Sequence, residues 1–188
     1  KPPILEYAQA FEYALRKFAQ SSEARNKVFG FREEPSTLTE NAAKKILQRF
    51  TRRAWRGYRN EENNQVVWNA YQKQQKNKAP VPALLRAMKT ALLSPAFIYR
   101  METIKDQDTP YDISAYELAS RLSYFLWASM PDKELFTLAE SGELLEESVL
   151  SAQIDRLLNS PKRLSLAEDF AGQWLGFSEI VSNRVFYR

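Results

Sequence analysis

Apolar side chains recur at every third or fourth position along almost the whole of this sequence, in runs separated by Pro, Gly and polar clusters. That period puts one apolar stripe on each of a series of helices, and a sheet-dominated fold would contradict it. The expected fold is all-α, an irregular multi-helix bundle of about seven to eight helices, with room for two helical subdomains. A 188-residue chain that is 44% hydrophobic and 13% aromatic has ample material to fill such a core. Its charges are mixed in sign and it holds no long apolar run, so no membrane span is expected.

Pro3 opens a first helix whose stripe is Ile4, Tyr7, Ala8, Phe11, Ala14, Leu15 and Phe18. From Asn26 to Phe31, Val28, Phe29 and Phe31 cluster around Gly30, which reads as an irregular connector or a brief extended piece. Thr39 is placed to cap a helix running to Trp55, with Ala43, Ile46, Leu47, Phe50 and Ala54 inward and Gly57 beyond its end. Asn60 caps the next, which carries Glu61 and Glu62 in its first turn and turns Val66, Val67, Ala70 and Tyr71 inward. Pro82 starts a fourth helix, burying Leu84, Leu85, Met88, Ala91 and Leu92, and Pro95 interrupts it before Phe97, Ile98 and Tyr99.

The stretch from Lys105 to Asp112 is polar and aperiodic, so it reads as a boundary. The expected organisation is an N-terminal helical module over residues 1–104, a linker over 105–113 and a second helical module over 114–188. In the second module Ser114 and Glu117 have the spacing of a capping box ahead of Leu118, Leu122, Phe125 and Leu126. Pro131 and Asp132 start a helix ending near Gly142, Val149 to Leu158 form another stripe, and Pro161 begins a last helix reaching Trp174 and Leu175.

Cysteine and histidine are both absent. Their absence excludes thiol nucleophiles, imidazole bases, Cys/His zinc sites and covalent c-type haem attachment on these residues. No catalytic residue, metal site or cofactor is therefore assigned to the segment. The start, Lys1-Pro2-Pro3, has no initiator Met and no signal-peptide pattern, and it reads as a trimmed terminus.

The run Tyr116-Glu117-Leu118-Ala119-Ser120-Arg121-Leu122-Ser123-Tyr124-Phe125-Leu126-Trp127, followed by Met130-Pro131-Asp132, resembles a large planctomycete-type multidomain family of unknown function. The pattern continues in order through Gln153 to Leu158, Asn159-Ser160-Pro161 and Phe170-Ala171-Gly172-Gln173-Trp174-Leu175-Gly176. Upstream, Ile46 to Trp55 with Glu61 and Glu62, and Leu92-Leu93-Ser94-Pro95 with Phe97 to Arg100, resemble the module that usually adjoins it. The resemblance spans roughly Lys44 to Phe177, and several motifs in fixed order are more specific than any one alone. It implies a periplasmic or otherwise exported multidomain protein, often built with a cytochrome c-like haem segment and sometimes with carbohydrate-binding modules. It also implies that the family's modules run past the last motif, so a C-terminal segment or other domains of the parent protein would complete the unit.

The outward face of the Thr39-capped helix carries Lys45, Arg49, Arg52, Arg53 and Arg56, continued by Arg59, with Trp55 and Tyr58 nearby. Interleaved cations and aromatics can hold phosphates or an acidic polysaccharide, because guanidinium pairs with anions and aromatic faces stack on bases or sugars. A solvated face, or one paired with the acidic stretch from Asp132 to Glu147, explains it equally in physical terms. The modest net charge of +4 favours that reading and argues against nucleic acid. Arg121 beside Tyr116 and Tyr124 is a further anion-binding candidate, though Glu117 four residues earlier is its natural partner. Tyr124, Phe125, Trp127, Phe170 and Trp174 could line a groove for sugar, but their helical spacing suits a core better. Asp112, Glu117, Glu168 and Asp169 supply carboxylates without evidence of a cleft. The leading expectation is a non-catalytic helical scaffold or interaction module. The alternative is one part of a carbohydrate-active or redox enzyme completed by other segments.

Overall fold

The computed structural model describes residues 3–75, 79–103 and 109–176. Among them every regular element is helical, so the all-α expectation holds. The chain divides into two compact units, Lys1–Thr103 and Ile104–Arg188, each with its own buried core. Residues 105–108 of the expected linker lie outside the described residues, and 109–113 are non-helical.

The first unit comprises α1 (Pro3–Gln20), α2 (Ser22–Phe29), α3 (Glu40–Ala54), α4 (Glu61–Gln75), α5 (Pro80–Leu92) and α6 (Pro95–Ile98). Helix α5 is its centre and packs against α1, α3 and α4. Ala83, Ala87 and Ala91, four residues apart, let neighbouring backbones come close, while Leu84 and Met88 fill the gaps, and all five are fully inaccessible to solvent. Full burial of a side chain the size of Leu or Met contributes about 1.5–3 kcal/mol. The start of α5 at Pro80, rather than Pro82, follows from an external cap. The Glu34 carboxylate accepts the Val81 N–H at 2.9 Å, satisfying a donor that Ala79 has no side chain to reach.

Three other expectations need correction. Asn26–Phe29 is not a connector but the end of α2, which Ser21 caps through the Ala24 N–H at 3.2 Å. Gly30, at φ 85°, closes it by donating to the Asn26 carbonyl, so the glycine ends a helix and does not sit inside a connector or an extended piece. Val66 is exposed, since it sits about 100° around α4 from Val67, and it is Val67 and Tyr71 that share the buried face. On α1 only Leu15 is buried, and Ile4 and Tyr7 remain exposed.

The second unit comprises α7 (Ala115–Trp127), α8 (Lys133–Ser141), α9 (Glu147–Leu158) and the short α10 (Gly172–Trp174), with 3-10 turns at Glu143–Leu145 and Pro161–Arg163. The capping box is present. Ser114 Oγ accepts the Glu117 N–H at 3.3 Å while the Glu117 carboxylate accepts the Ser114 N–H at 2.7 Å. Asp132 caps α8 through the Leu135 N–H, and Gly142 ends it at φ 84°. The expected last helix is not uniform. It opens as a 3-10 turn at Pro161 and widens to a π-helix over Leu166–Ala171 before α10. The core is Ala115, Ala119, Leu126, Trp127, Leu135, Ala139, Leu144 and Leu157.

Candidate functional site

The arginines that the sequence marked as anion-binding candidates have separate fates. Arg56 is buried, and its guanidinium donates to the carbonyls of Ala96 at 2.9 Å and Phe97 at 3.2 Å, and to those of Tyr99 and Ala54. Three of these carbonyls belong to α6 and the residue after it, so Arg56 caps the end of a one-turn helix and complements its dipole. Arg49 donates to the Val28 carbonyl in the last turn of α2. Arg25 likewise holds the Ala19 carbonyl in the last turn of α1 at 2.6 Å. Lys45 is exposed on α3, Arg52 is half-buried, and Arg52, Arg53 and Arg121 each have an interaction partner. Arg121 lies exposed on α7 of the second unit.

The five aromatic residues weighed as a groove or, better, a core also separate, with Tyr124 half-buried on α7. Trp127 is core, and its indole N–H donates to the Leu157 carbonyl at 2.9 Å. Phe125, Phe170 and Trp174 form a surface ladder instead. Phe125 meets Phe170 edge-on with centroids 5.5 Å apart, and Phe170 stacks on Trp174 at 6.0 Å and 21°. Trp174 is 75% exposed and Phe125 55%, so the ladder presents ring faces to solvent where a core would hide them. The π-helical turn carries Phe170 to this position, with Glu168 and Asp169 exposed beside it.

The acidic stretch is taken up within its own unit at its N-terminal end. Arg156 binds both oxygens of Asp132, at 2.8 and 3.2 Å, and reaches Glu134 at 3.2 Å. Burial opposes ionisation of Asp132. The Arg156 and Leu135 hydrogen bonds and the charges of Arg156 and Lys162 outweigh it and hold the carboxyl below its ordinary pKa. Lys162 and Arg156 also lie over the Trp127 ring, at 4.8 and 5.6 Å from its centroid.

In the first unit a groove of about 450 Å3 runs between α3 and α4, floored by Leu47 and Val67 and lined by Lys44, Gln48, Asn64 and Trp68. Nothing in the residue pattern marks this groove, because Lys44 meets Trp68 only when the two helices pair. Its aromatic face is already occupied: Lys44 sits 4.9 Å from the Trp68 centroid while forming an ion pair with Glu40, and Tyr71 stacks on the same indole. Among the described residues no group of three or more carboxylates is placed to hold a metal ion, and no helix is long and apolar enough to cross a membrane.

Comparison with known families follows the division into units. Residues 42–102 match the family PSD5, a protein of unknown function (DUF1595), and residues 113–186 match PSD4, a protein of unknown function (DUF1592). The chain carries both domains. Each belongs to a planctomycete-type multidomain family of unknown function. No curated protein and no solved structure matches the chain. The PSD5 domain holds the Arg56 cap and the groove between α3 and α4. The residues matched to PSD4 include the aromatic ladder of Phe125, Phe170 and Trp174.

Proposed function

We propose that this chain is a non-catalytic helical interaction module that positions neighbouring domains of an exported, haem-associated multidomain protein. The observation that supports it is the Phe125–Phe170–Trp174 ladder. A motif tryptophan that is 75% exposed does not serve the core of its own unit, and stacked exposed aromatics are the usual anchor of a protein interface. The partner this chemistry fits is an apolar surface of another domain of the same parent. Without Cys or His here, a c-type haem would be attached by that other segment and not by this one.

Acrylamide quenching of Trp174 tests the reading, with Trp174→Phe used to isolate its signal from those of Trp55, Trp68 and Trp127. The quenching should be efficient in the isolated chain and suppressed in the intact parent protein. Equal accessibility in both would remove the docking surface. A parent lacking a cleaved signal peptide and a covalent haem spectrum would remove the rest. The same ladder also suits stacking on sugar rings, which supports the carbohydrate reading. If a neutral oligosaccharide alone shields Trp174 in the isolated chain, polysaccharide binding replaces domain docking.

A further inference from the structure

A second pocket of the first unit is lined by none of the anion-binding candidates that the sequence marked. Helices α1 and α5, with Gln74 of α4, line an open pocket of about 290 Å3 whose floor includes the buried Leu15 and the half-buried Leu85. Its rim carries three cations, Arg16, Arg86 and Lys89, and one carboxylate, Glu12. Glu12 is shared: Lys89 Nζ lies 2.6 Å from one oxygen and Arg16 Nη2 2.7 Å from the other. Among the described residues Arg86 makes no side-chain hydrogen bond or ion pair. One internal anion thus faces three cations, and the uncompensated charge stands over an apolar floor.

We propose that this pocket binds a small organic anion, a single carboxylate or phosphate head on an apolar body of a few carbons. The head pairs with the Arg86 guanidinium, which offers parallel N–H donors, and with the share of Lys89 that Glu12 leaves unneutralised. The body covers Leu15 and Leu85. A volume near the lower end of the range for ligand pockets fits a ligand of benzoate size rather than a cofactor. Glu12 is then a built-in competitor, an anion of the protein already seated on two of the three cations. Lys89 and Arg16 hold its carboxyl below its ordinary pKa, so it stays ionised and keeps competing at neutral pH.

The test is calorimetric titration of the full 188-residue chain with benzoate, phenyl phosphate, inorganic phosphate and benzyl alcohol. Benzoate and phenyl phosphate should saturate at one site, inorganic phosphate should bind about tenfold more weakly and benzyl alcohol not at all. Arg86→Glu should abolish binding while leaving the melting temperature unchanged, because Arg86 is exposed. Glu12→Gln provides the sharper reading. A merely structural Glu12 would weaken binding when altered, whereas removal of a competing anion should tighten benzoate several-fold even as the variant loses some stability. The proposal fails if no anion saturates, if Arg86→Glu binds as wild type does, or if Glu12→Gln binds more weakly. Equal affinity for inorganic phosphate and phenyl phosphate would likewise overturn it, since the floor would then contribute nothing.

Discussion

The indole N–H of Trp55 donates to the Ala91 carbonyl at 3.1 Å, tying the last turn of α3 to the last turn of α5 across the core of the first unit. Trp55 is among the largest fully buried side chains, so it contributes both volume and this one polar link. Ala91 keeps a second partner, because the Ser94 hydroxyl donates to the same carbonyl at 2.7 Å. Replacing Trp55 by Phe should therefore lower stability mainly through lost volume, by about 2 kcal/mol, read as a shift in urea midpoint. A change below about 0.5 kcal/mol would mean that the two helices are held otherwise.

Arg56 gives a different kind of prediction, because its fork is matched to several carbonyls at once. Lysine keeps the charge but offers a point donor, so Arg56→Lys should destabilise by about 3 kcal/mol while net charge stays constant. Arg56 also sits at φ 55°, a conformation that glycine adopts without strain. Arg56→Gly relieves about 1 kcal/mol of backbone strain and still loses the cap, so it too should melt below wild type. A glycine variant as stable as wild type would show that the carbonyls at the end of α6 do not need the guanidinium.

That cap also changes how anion binding through α3 has to be tested. Reversing Arg56 would unfold the end of the helix and mimic a loss of binding, so Lys45→Glu with Arg52→Glu is the informative pair. On the reading argued above, the wild-type chain leaves heparin at low salt and the double variant behaves nearly alike. Wild-type retention above about 0.5 M salt that disappears in the double variant would restore the basic face as a site.

Helix caps made much of the fold legible. Thr39, Asn60, Ser114 with Glu117, Asp132 and Gly142 each stand within a few residues of the apolar stripe they start or stop, and each occupies that place in the structure. Helix α2 was illegible for a related reason. At eight residues it is too short to display a period, and its closing glycine lies between apolar residues that imitate a strand. The functional reading failed where partners are distant. A guanidinium fork that suits a phosphate suits a row of carbonyls equally well, and three of the four carbonyls Arg56 holds lie about 40 residues away. Glu12 and Lys89, separated by 77 positions, meet only because α1 and α5 pack.

The Asp132 cap should give the second unit an acid-sensitive component. Its carboxyl has a folded pKa below the unfolded one, so the unfolded chain binds the proton more readily. The stability it supplies is therefore complete above the ordinary range for Asp, near pH 4, and is lost as pH falls through the lower folded value. Asp132→Asn isolates the charge, because the amide oxygen can still accept the Leu135 N–H. Wild type should exceed this variant in urea midpoint at pH 7, with the gap closing below about pH 4. A gap that persists at pH 2.5 would trace the difference to packing instead of ionisation.

Trp127 and Trp174 look alike in sequence, both following apolar residues at helical spacing, and the structure gives them opposite surroundings. Trp127 donates to the Leu157 carbonyl from within the core, whereas Trp174 touches Phe170 at the surface. Trp127→Phe should then cost about 2 kcal/mol, through a lost hydrogen bond and an unfilled space. Trp174→Ala, a far larger deletion, should stay within about 0.5 kcal/mol of wild type, because most of the ring is already in water. Circular dichroism in urea measures both without relying on tryptophan emission. The contrast separates an interface residue from a core residue: a Trp174→Ala variant destabilised by more than about 2 kcal/mol would place the ring in the fold of its own unit. The Phe125–Phe170–Trp174 ladder could then no longer serve as a surface held ready for another domain.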